Sequence, residues 1–338
     1  LQNDCSKYFK ISPDETLRIA QELYEKKMTT YPRTDARVLS TAVSKEIYKN
    51  IKGLTNFQLV SSLASRVLQE GTYKGIAKTR YVNDKQITDH YAIIPTGQGL
   101  NNYNQLSSTA QKVYEIVVRR FLSIFYPPAV YRKVALCVAI RKEKLFANFK
   151  VLESPGYLAV TEFSFRKKKE NGRDTAGDAD NEENANADNG EEQSLDVGLM
   201  EVLNHLKKGM ELPVKDAQIR EGETSPPKRY NSGTIILAME NAGQLIEDEE
   251  LRAQIKGSGI GTSATRAEIL KKLVNIKYLA LNRKTQIITP TLMGEMIYEV
   301  VNQSIRPLLD PKLTASWEKG LTLVADGNIT EQEYMDKL

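Results

Sequence analysis

With 338 residues the chain exceeds the size at which one hydrophobic core stops growing, which predicts two or three domains. Hydrophobic residues make up 41% and charged residues 27%, and no run approaches the roughly 18 apolar residues of a membrane-spanning helix, so the composition is that of a protein working in water, with no membrane partner. The net charge of +4 is unevenly spread: residues 174–192 hold eight Asp or Glu and no Lys or Arg, which leaves 47 basic against 35 acidic side chains, or +12, elsewhere. A body that basic suits a polyanion such as nucleic acid, although a solvated basic surface without a partner is the plainer alternative.

The amino terminus, LQNDCSKYFK, has neither an apolar signal core nor a starting methionine, so secretion is unsupported and the sequence reads as cut from something longer. Residues 1–127 read as mainly helical. Ser12-Pro13-Asp14-Glu15 has the form of a capping box with proline at the first helical position, and Leu17, Ala20, Leu23 and Tyr24 follow on one face. Helical periodicity recurs over 42–51, 57–68 and 110–126, where Pro127-Pro128 ends it. From Val130 to Phe165 the pattern turns to β, with Val134, Leu136, Val138 and Ile140 alternating against Ala135, Cys137 and Ala139. Residues 166–194 are basic and then rich in Asn, Asp, Glu, Gly and Ala, a composition that cannot repay the entropy of ordering and predicts a disordered acidic insertion.

After short strands and turns leading to Ser225-Pro226-Pro227, a second helical region runs to the end of the chain. A helix over 235–241 ends near Gly243, another spans 265–274, and Tyr278 to Leu281 is predicted to pair with Gln286 to Ile288 across Asn282-Arg283-Lys284-Thr285. Helix, helix and hairpin make a winged-helix-like order, which contacts DNA in many proteins and serves as a protein-binding scaffold in others. Cys5, Cys137, His90 and His205 fall in no metal-ligand spacing, so no metal site is expected on this chain, and a reducing cytoplasm is the simplest setting.

The chemistry centres on Met28-Thr29-Thr30-Tyr31-Pro32-Arg33-Thr34-Asp35-Ala36-Arg37. Proline favours extended backbone at the residue before it, so Tyr31 and Arg33 can project to the same side. A phenol oxygen can attack phosphorus and store the bond as a phosphotyrosine, and a neighbouring guanidinium can hold the phosphate oxygens. Taken alone, a tyrosine before proline is more often a packed turn residue. The whole string, however, strongly resembles the active-site segment of type IA DNA topoisomerases of the bacterial topoisomerase III kind, and ETLRIAQELYEKK resembles the helix that leads into it.

That resemblance makes Tyr31 the nucleophile, Arg33 the active-site arginine, and Thr34 and Asp35 supporting residues. A second stretch, Thr88-Asp89-His90-Tyr91-Ala92-Ile93-Ile94-Pro95-Thr96, makes His90 the active-site histidine; read without the family, a histidine capping a turn is the commoner case. Relatives often carry a second histidine where this chain has Tyr91. Two further stretches resemble the family's DNA-binding helical domain: Pro226-Pro227-Lys228-Arg229-Tyr230 leading into Ala238-Met239-Glu240-Asn241-Ala242-Gly243, and residues 257–266, GSGIGTSATR. There Gly257, Gly259 and Gly261 allow close backbone approach. The following helix offers free N–H groups to an anion, with Thr262, Thr265 and Arg266 as side-chain donors and Arg229 and Tyr230 as further DNA contacts. A loop with a helix cap is the plain alternative. Relatives usually have proline at the position of Ser263. No Gly-Lys-Ser/Thr ending makes this a nucleotide P-loop, so ATP is not expected.

The resemblance implies a mainly α, multi-domain fold with a β-rich part. Residues 1–127 would be the tyrosine domain, 128–225 part of the β arch, interrupted by the acidic insertion, and 226–338 the helical groove domain; the first and last would have winged-helix-like cores. It also implies an ATP-independent isomerase that cuts one DNA strand through a 5′-phosphotyrosine, passes a strand and reseals, in a bacterial, nucleoid-associated setting. The Toprim domain that holds Mg²⁺ in the family would lie before residue 1, so magnesium is not expected on this chain, and a non-catalytic module binding single-stranded DNA is the alternative for the chain alone. A tyrosine recombinase is disfavoured because Tyr31 comes early and no arginine follows His90 by three residues.

Overall fold

The computed structural model describes the chain apart from residues 88, 166–192, 195–204, 214–215, 217, 220, 225, 247–248, 250–258, 263–264 and 338. The acidic insertion therefore falls almost wholly outside the described residues, as do Thr88, Ser225, Gly257 and Ser263. The described residues form two compact units, Leu1–Phe121 with Pro227–Leu338, and Leu122–Pro226. The architecture is helix-rich with two small sheets. No helix among the described residues is long and apolar enough to cross a membrane.

In the first unit, α1 (Gln2–Phe9) and α2 (Pro13–Glu25) open the chain. Ser12 caps α2 by accepting from the Glu15 backbone N–H at 3.2 Å, but Glu15 does not return the bond; its carboxylate pairs with Arg18, one turn on, at 2.5 Å. The Arg18 guanidinium lowers the pKa of Glu15, as expected for a carboxylate accepting charged hydrogen bonds. The buried face of α2 is Thr16, Ile19, Ala20 and Leu23, with Leu17 partly covered and Tyr24 40% exposed, so it is rotated from the face read off the sequence. Cys5 on α1 is completely buried, and burial pushes its thiol up to about 12.

Helix α3 (Thr41–Leu54) is capped by Ser40 and buries Ile47, Ile51 and Leu54, spaced to fall on one face. Helix α4 (Ser61–Glu70) begins four residues after the expected start, because Phe57 sits in the preceding turn and packs its ring on Tyr103 and Tyr114. A 3₁₀ segment, Thr72–Lys78, follows and packs on α3. Helix α5 (Ser108–Ser123) carries a buried Glu115–Arg119 ion pair at 2.6 Å, in which each charge is compensated one turn away.

The carboxy-terminal part of this unit contains α6 (Ser232–Glu240), α7 (Arg266–Asn275), a hairpin of β4 (Leu279–Leu281) and β5 (Ile288–Pro290), then α8 (Leu292–Ser304), α9 (Pro311–Ala325) and α10 (Glu331–Asp336). Asn231 caps α6 in a complete capping box with Thr234. The hairpin register is Leu279 with Pro290 and Leu281 with Ile288, so Gln286 lies in the turn and not in the strand. The reason is partly tertiary: Gln286 has φ 60 and is buried, and its Oε1 accepts from Ser232 Oγ at 2.8 Å while its Nε2 donates to Arg283 O at 3.1 Å. Ser6 Oγ lies 3.0 Å from Ser232 Oγ, which ties α1 to α6 and the hairpin through one buried polar chain. Lys271 on α7 pairs with Asp14 on α2 at 3.2 Å.

The second unit is built on a long antiparallel hairpin, β1 (Val130–Ile140) and β2 (Glu143–Ser154), with Ile140 opposite Glu143 across a two-residue turn. Residues 193–194, β3, pair in parallel with Phe149 and Lys150. The expected alternation holds in β1 from Val134 to Ala139, where Val134, Leu136 and Val138 are half-buried and Ala135, Cys137 and Ala139 exposed, but not at Ile140, which is exposed at the turn. Strand structure stops at Ser154 and does not reach Phe165. Gly156, at φ 46, turns the chain against the carbonyls of Pro127 and Pro128, where any Cβ would overlap them.

Candidate active site

Residues 28–39 form an extended, irregular segment between α2 and α3, and extended chain with no regular partner must find its hydrogen bonds elsewhere. It finds them on residues 90–96. Thr30 N–H donates to Ile94 O at 3.0 Å, and Thr96 N–H donates to Met28 O at 3.0 Å. Thr30 Oγ1 donates to Ala92 O at 3.2 Å and accepts from Ile94 N–H at 2.9 Å. Ala92 N–H donates to Val38 O at 2.9 Å, and Thr29 and Pro95 form an antiparallel bridge. Two strings sixty residues apart in sequence thus become one two-stranded strip.

The strip brings Tyr31 and His90 together, their ring centroids 4.5 Å apart at an interplanar angle of 47°. Tyr24, at the end of α2, lies edge-on to Tyr31 with centroids 5.4 Å apart. Thr34 Oγ1 donates to the His90 carbonyl at 2.7 Å and accepts from Ala36 N–H at 3.0 Å, so it holds the histidine's backbone and closes its own turn. Pro32 is buried, whereas Arg33 and Asp35 are exposed. No hydrogen bond ties Arg33 to Tyr31 or His90 among the described residues. Gly97, at φ 74, lets the second strand run on against α3: a Cβ on Gly53 would overlap the Gly97 carbonyl.

The glycine string meets the carboxy-terminal end of α6. Ile260 N–H donates to Met239 O at 2.8 Å, and Gly259, at φ 61, packs so closely that a Cβ would overlap the carbonyls of Met239 and Glu240. Thr265 Oγ1 accepts from Thr262 N–H at 2.8 Å. Arg266 is only 4% exposed; its Nε donates to Ile260 O at 3.0 Å and one terminal nitrogen to Gly261 O at 3.0 Å. The guanidinium is thus a strut inside the loop, and among the described residues of the string Ile260, Thr262 and Thr265 are exposed. Tyr230 is 55% exposed, Arg229 beside it is exposed too, and the Tyr230 carbonyl accepts from Ile288 N–H at 2.9 Å, which sets both residues along the hairpin edge.

An ion pair links the two strings. Arg37, six residues after Tyr31, pairs with Glu240, the last residue of α6, whose carbonyl lies against Gly259. Sequence reading quoted Arg37 and Glu240 without a role for either, and gave Thr30 none. A partner more than sixty positions away leaves no periodic signal, so no local pattern could have found these contacts.

A family model described as DNA topoisomerase matches residues 1–336. DNA topoisomerase 3 of Bacillus licheniformis is 32% identical over 342 residues, covering 100% of this chain and 42% of the relative. The Bacillus subtilis protein of the same name is 32% identical over 342 residues, covering 99% of this chain and 42% of its own length. A third, from Bacillus cereus strain ZK, is 30% identical over 344 residues with the same 42% of its length covered. The chain therefore spans less than half the length of these relatives, and on the strength of the family match it belongs to the DNA topoisomerases, in their type IA, topoisomerase III-like branch.

Proposed function

We propose that this chain supplies the nucleophile and a strand-binding loop of an ATP-independent topoisomerase that cuts and reseals one strand of DNA. The observation that carries the reading is the contact of the Tyr31 and His90 rings on a strip fixed by backbone bonds at both ends. In the cleavage step Tyr31 Oη bonds to phosphorus and the P–O3′ bond breaks. The phenol gives up its proton, the 3′-oxygen takes one up, and a phosphotyrosine joins the protein to the 5′ end. Arg33, exposed beside the nucleophile, steadies the phosphate oxygens, and His90 contacts them or moves the proton. Thr34 and Asp35 support this arrangement. Reverse attack by the 3′-oxygen reseals the strand without ATP, because the phosphodiester energy stays in the tyrosyl bond.

In this reading residues 1–127 form the tyrosine domain, 128–225 part of an arch, and 226–338 the domain lining a single-strand groove, the first and last with winged-helix-like cores. The loop at Gly259 and Gly261 offers Thr262 and Thr265 to a phosphate, with Arg229 and Tyr230 as neighbouring contacts, and Arg266 acts by shaping the loop. Magnesium, which the family resemblance assigns to a Toprim domain, has no fitting donor set here: among the described residues no three or more His, Cys, Asp or Glu cluster to hold a metal ion. No step is assigned to a metal on this chain, and the chain alone is expected to bind single strands without cleaving them.

The test is covalent capture. A labelled single strand is incubated with the chain, with and without the Toprim-containing portion of a relative, then denatured and examined for label on the protein. The adduct is expected only in the combined sample and is abolished by Tyr31→Phe with strand binding retained; an adduct that survives this substitution removes Tyr31 from the role. Arg33→Ala is expected to slow cleavage by about 2 to 4 kcal/mol of transition-state stabilisation, the scale of one lost oxyanion donor.

A further inference from the structure

A second surface, built on α3 and the Thr72–Lys78 segment, has the chemistry of a nucleic-acid contact and shares no residue with the site above. Lys45, Tyr48, Lys49 and Lys52 are spaced three and four apart on α3 and are all exposed, which makes one basic stripe with an aromatic ring in its middle. Tyr48 is 42% exposed, and the ring of Tyr73 stands beside it with centroids 5.7 Å apart, tilted by 46°. Lys52 Nζ lies over the Tyr48 ring at 5.9 Å from its centroid, and Lys74, next to Tyr73, is exposed.

The acidic side chains of this region are already engaged. Glu46 pairs with Lys49 at 3.0 Å, Glu70 with Arg66 at 2.6 Å, and Asp84 accepts from the Thr41 hydroxyl and backbone N–H. Lys45, Lys52 and Lys74 form no ion pair among the described residues. Three exposed ammonium groups without an ion-pair partner among the described residues therefore stand with two adjacent rings, one of them already under a cation. That set is what a chain of alternating flat bases and phosphates would need: rings for stacking and cations for the backbone. An acidic peptide would use the lysines and leave the rings idle.

We propose that this face of α3 binds single-stranded nucleic acid, with bases against Tyr48 and Tyr73 and phosphates on Lys45, Lys52 and Lys74. The inference does not rest on Tyr31 or on strand cleavage.

The experiment uses the full chain with two oligonucleotides of equal length, one bearing bases and one abasic, and measures binding as a function of salt. Replacing Lys45, Lys52 and Lys74 by Ala is expected to reduce the slope of log affinity against log salt by about 2, from roughly 0.7 per phosphate on a single strand. Tyr48→Ala with Tyr73→Ala is expected to weaken the base-bearing strand by roughly five-fold or more, on the usual scale of base stacking, and to leave the abasic strand unchanged. An unchanged salt slope overturns the proposal, as does an equal loss for both oligonucleotides. A photoreactive 5-iodouracil strand supplies a readout that needs no substitution: cross-links at Tyr48 or Tyr73 support the site, and their absence from the peptide containing residues 45–78 overturns it.

Discussion

At Thr34 one hydroxyl serves two backbone groups, donating to His90 O and accepting from Ala36 N–H, and thereby fixes the height of the histidine beside Tyr31. Thr34→Val keeps the shape and removes both bonds, each worth about 1 kcal/mol as a typical hydrogen bond. In the complete enzyme, cleavage is expected to slow by up to roughly thirty-fold on that scale with strand affinity unchanged, and Thr34→Ser to recover most of the rate. A Val variant as fast as the parent would make Thr34 a turn residue only. Tyr31 and His90 were singled out because each lies in a specific family-like string, and their roles stay proposals. Their contact was not legible, since it depends on Thr30, whose hydroxyl bonds residues 62 and 64 positions away. Tyr24 was read as a buried face residue of α2, and its exposed ring instead flanks Tyr31.

Helices were read well where their ends are set by adjacent residues. Ser12 caps α2 with its own hydroxyl, as its string predicts, whereas α3 runs to Leu54, three residues past the expected end, and α5 stops at Ser123, three residues short of the expected end before Pro127-Pro128. The other errors lie where a distant partner decides: Phe57 leaves the expected helix for an aromatic cluster with Tyr103 and Tyr114, and Gln286 leaves its strand for the buried bond to Ser232. Glycine 259 joins both kinds of control, since its left-handed backbone is local and its seat against Met239 and Glu240 is tertiary. Gly259→Ala meets a cost of about 1 to 2 kcal/mol for the left-handed conformation alone, before the overlap with the two carbonyls. The loop is expected to detach from α6, seen as faster amide exchange at Ile260, whose N–H donates to Met239 O, and as weaker single-strand binding. Unchanged exchange at Ile260 would show that α6 does not hold the loop.

Across the whole chain the dominant long-range term is charge. The net +4 is the sum of a body at +12 and the eight acidic residues of 174–192, so the acidic run cancels most of the field that the rest would present to a polyanion. Both candidate contact surfaces, the loop at Gly259 and Gly261 and the lysine stripe on α3, bind in that field. Deleting residues 174–192 is expected to tighten binding of a short single strand at low salt, and the gain should shrink as the Debye length falls towards about 8 Å near 0.15 M salt. Replacing the eight carboxylates by Asn and Gln at constant length separates charge from chain length and is expected to reproduce the gain. Fluorescence anisotropy of a labelled oligonucleotide across a salt series measures both. If the deletion tightens binding but the neutral replacement does not, the run acts by occupying space and not by its field. If neither changes affinity at low salt, the basic body does not meet DNA through long-range electrostatics, and binding must rest on short-range contacts such as those at Thr262, Thr265 and Tyr48.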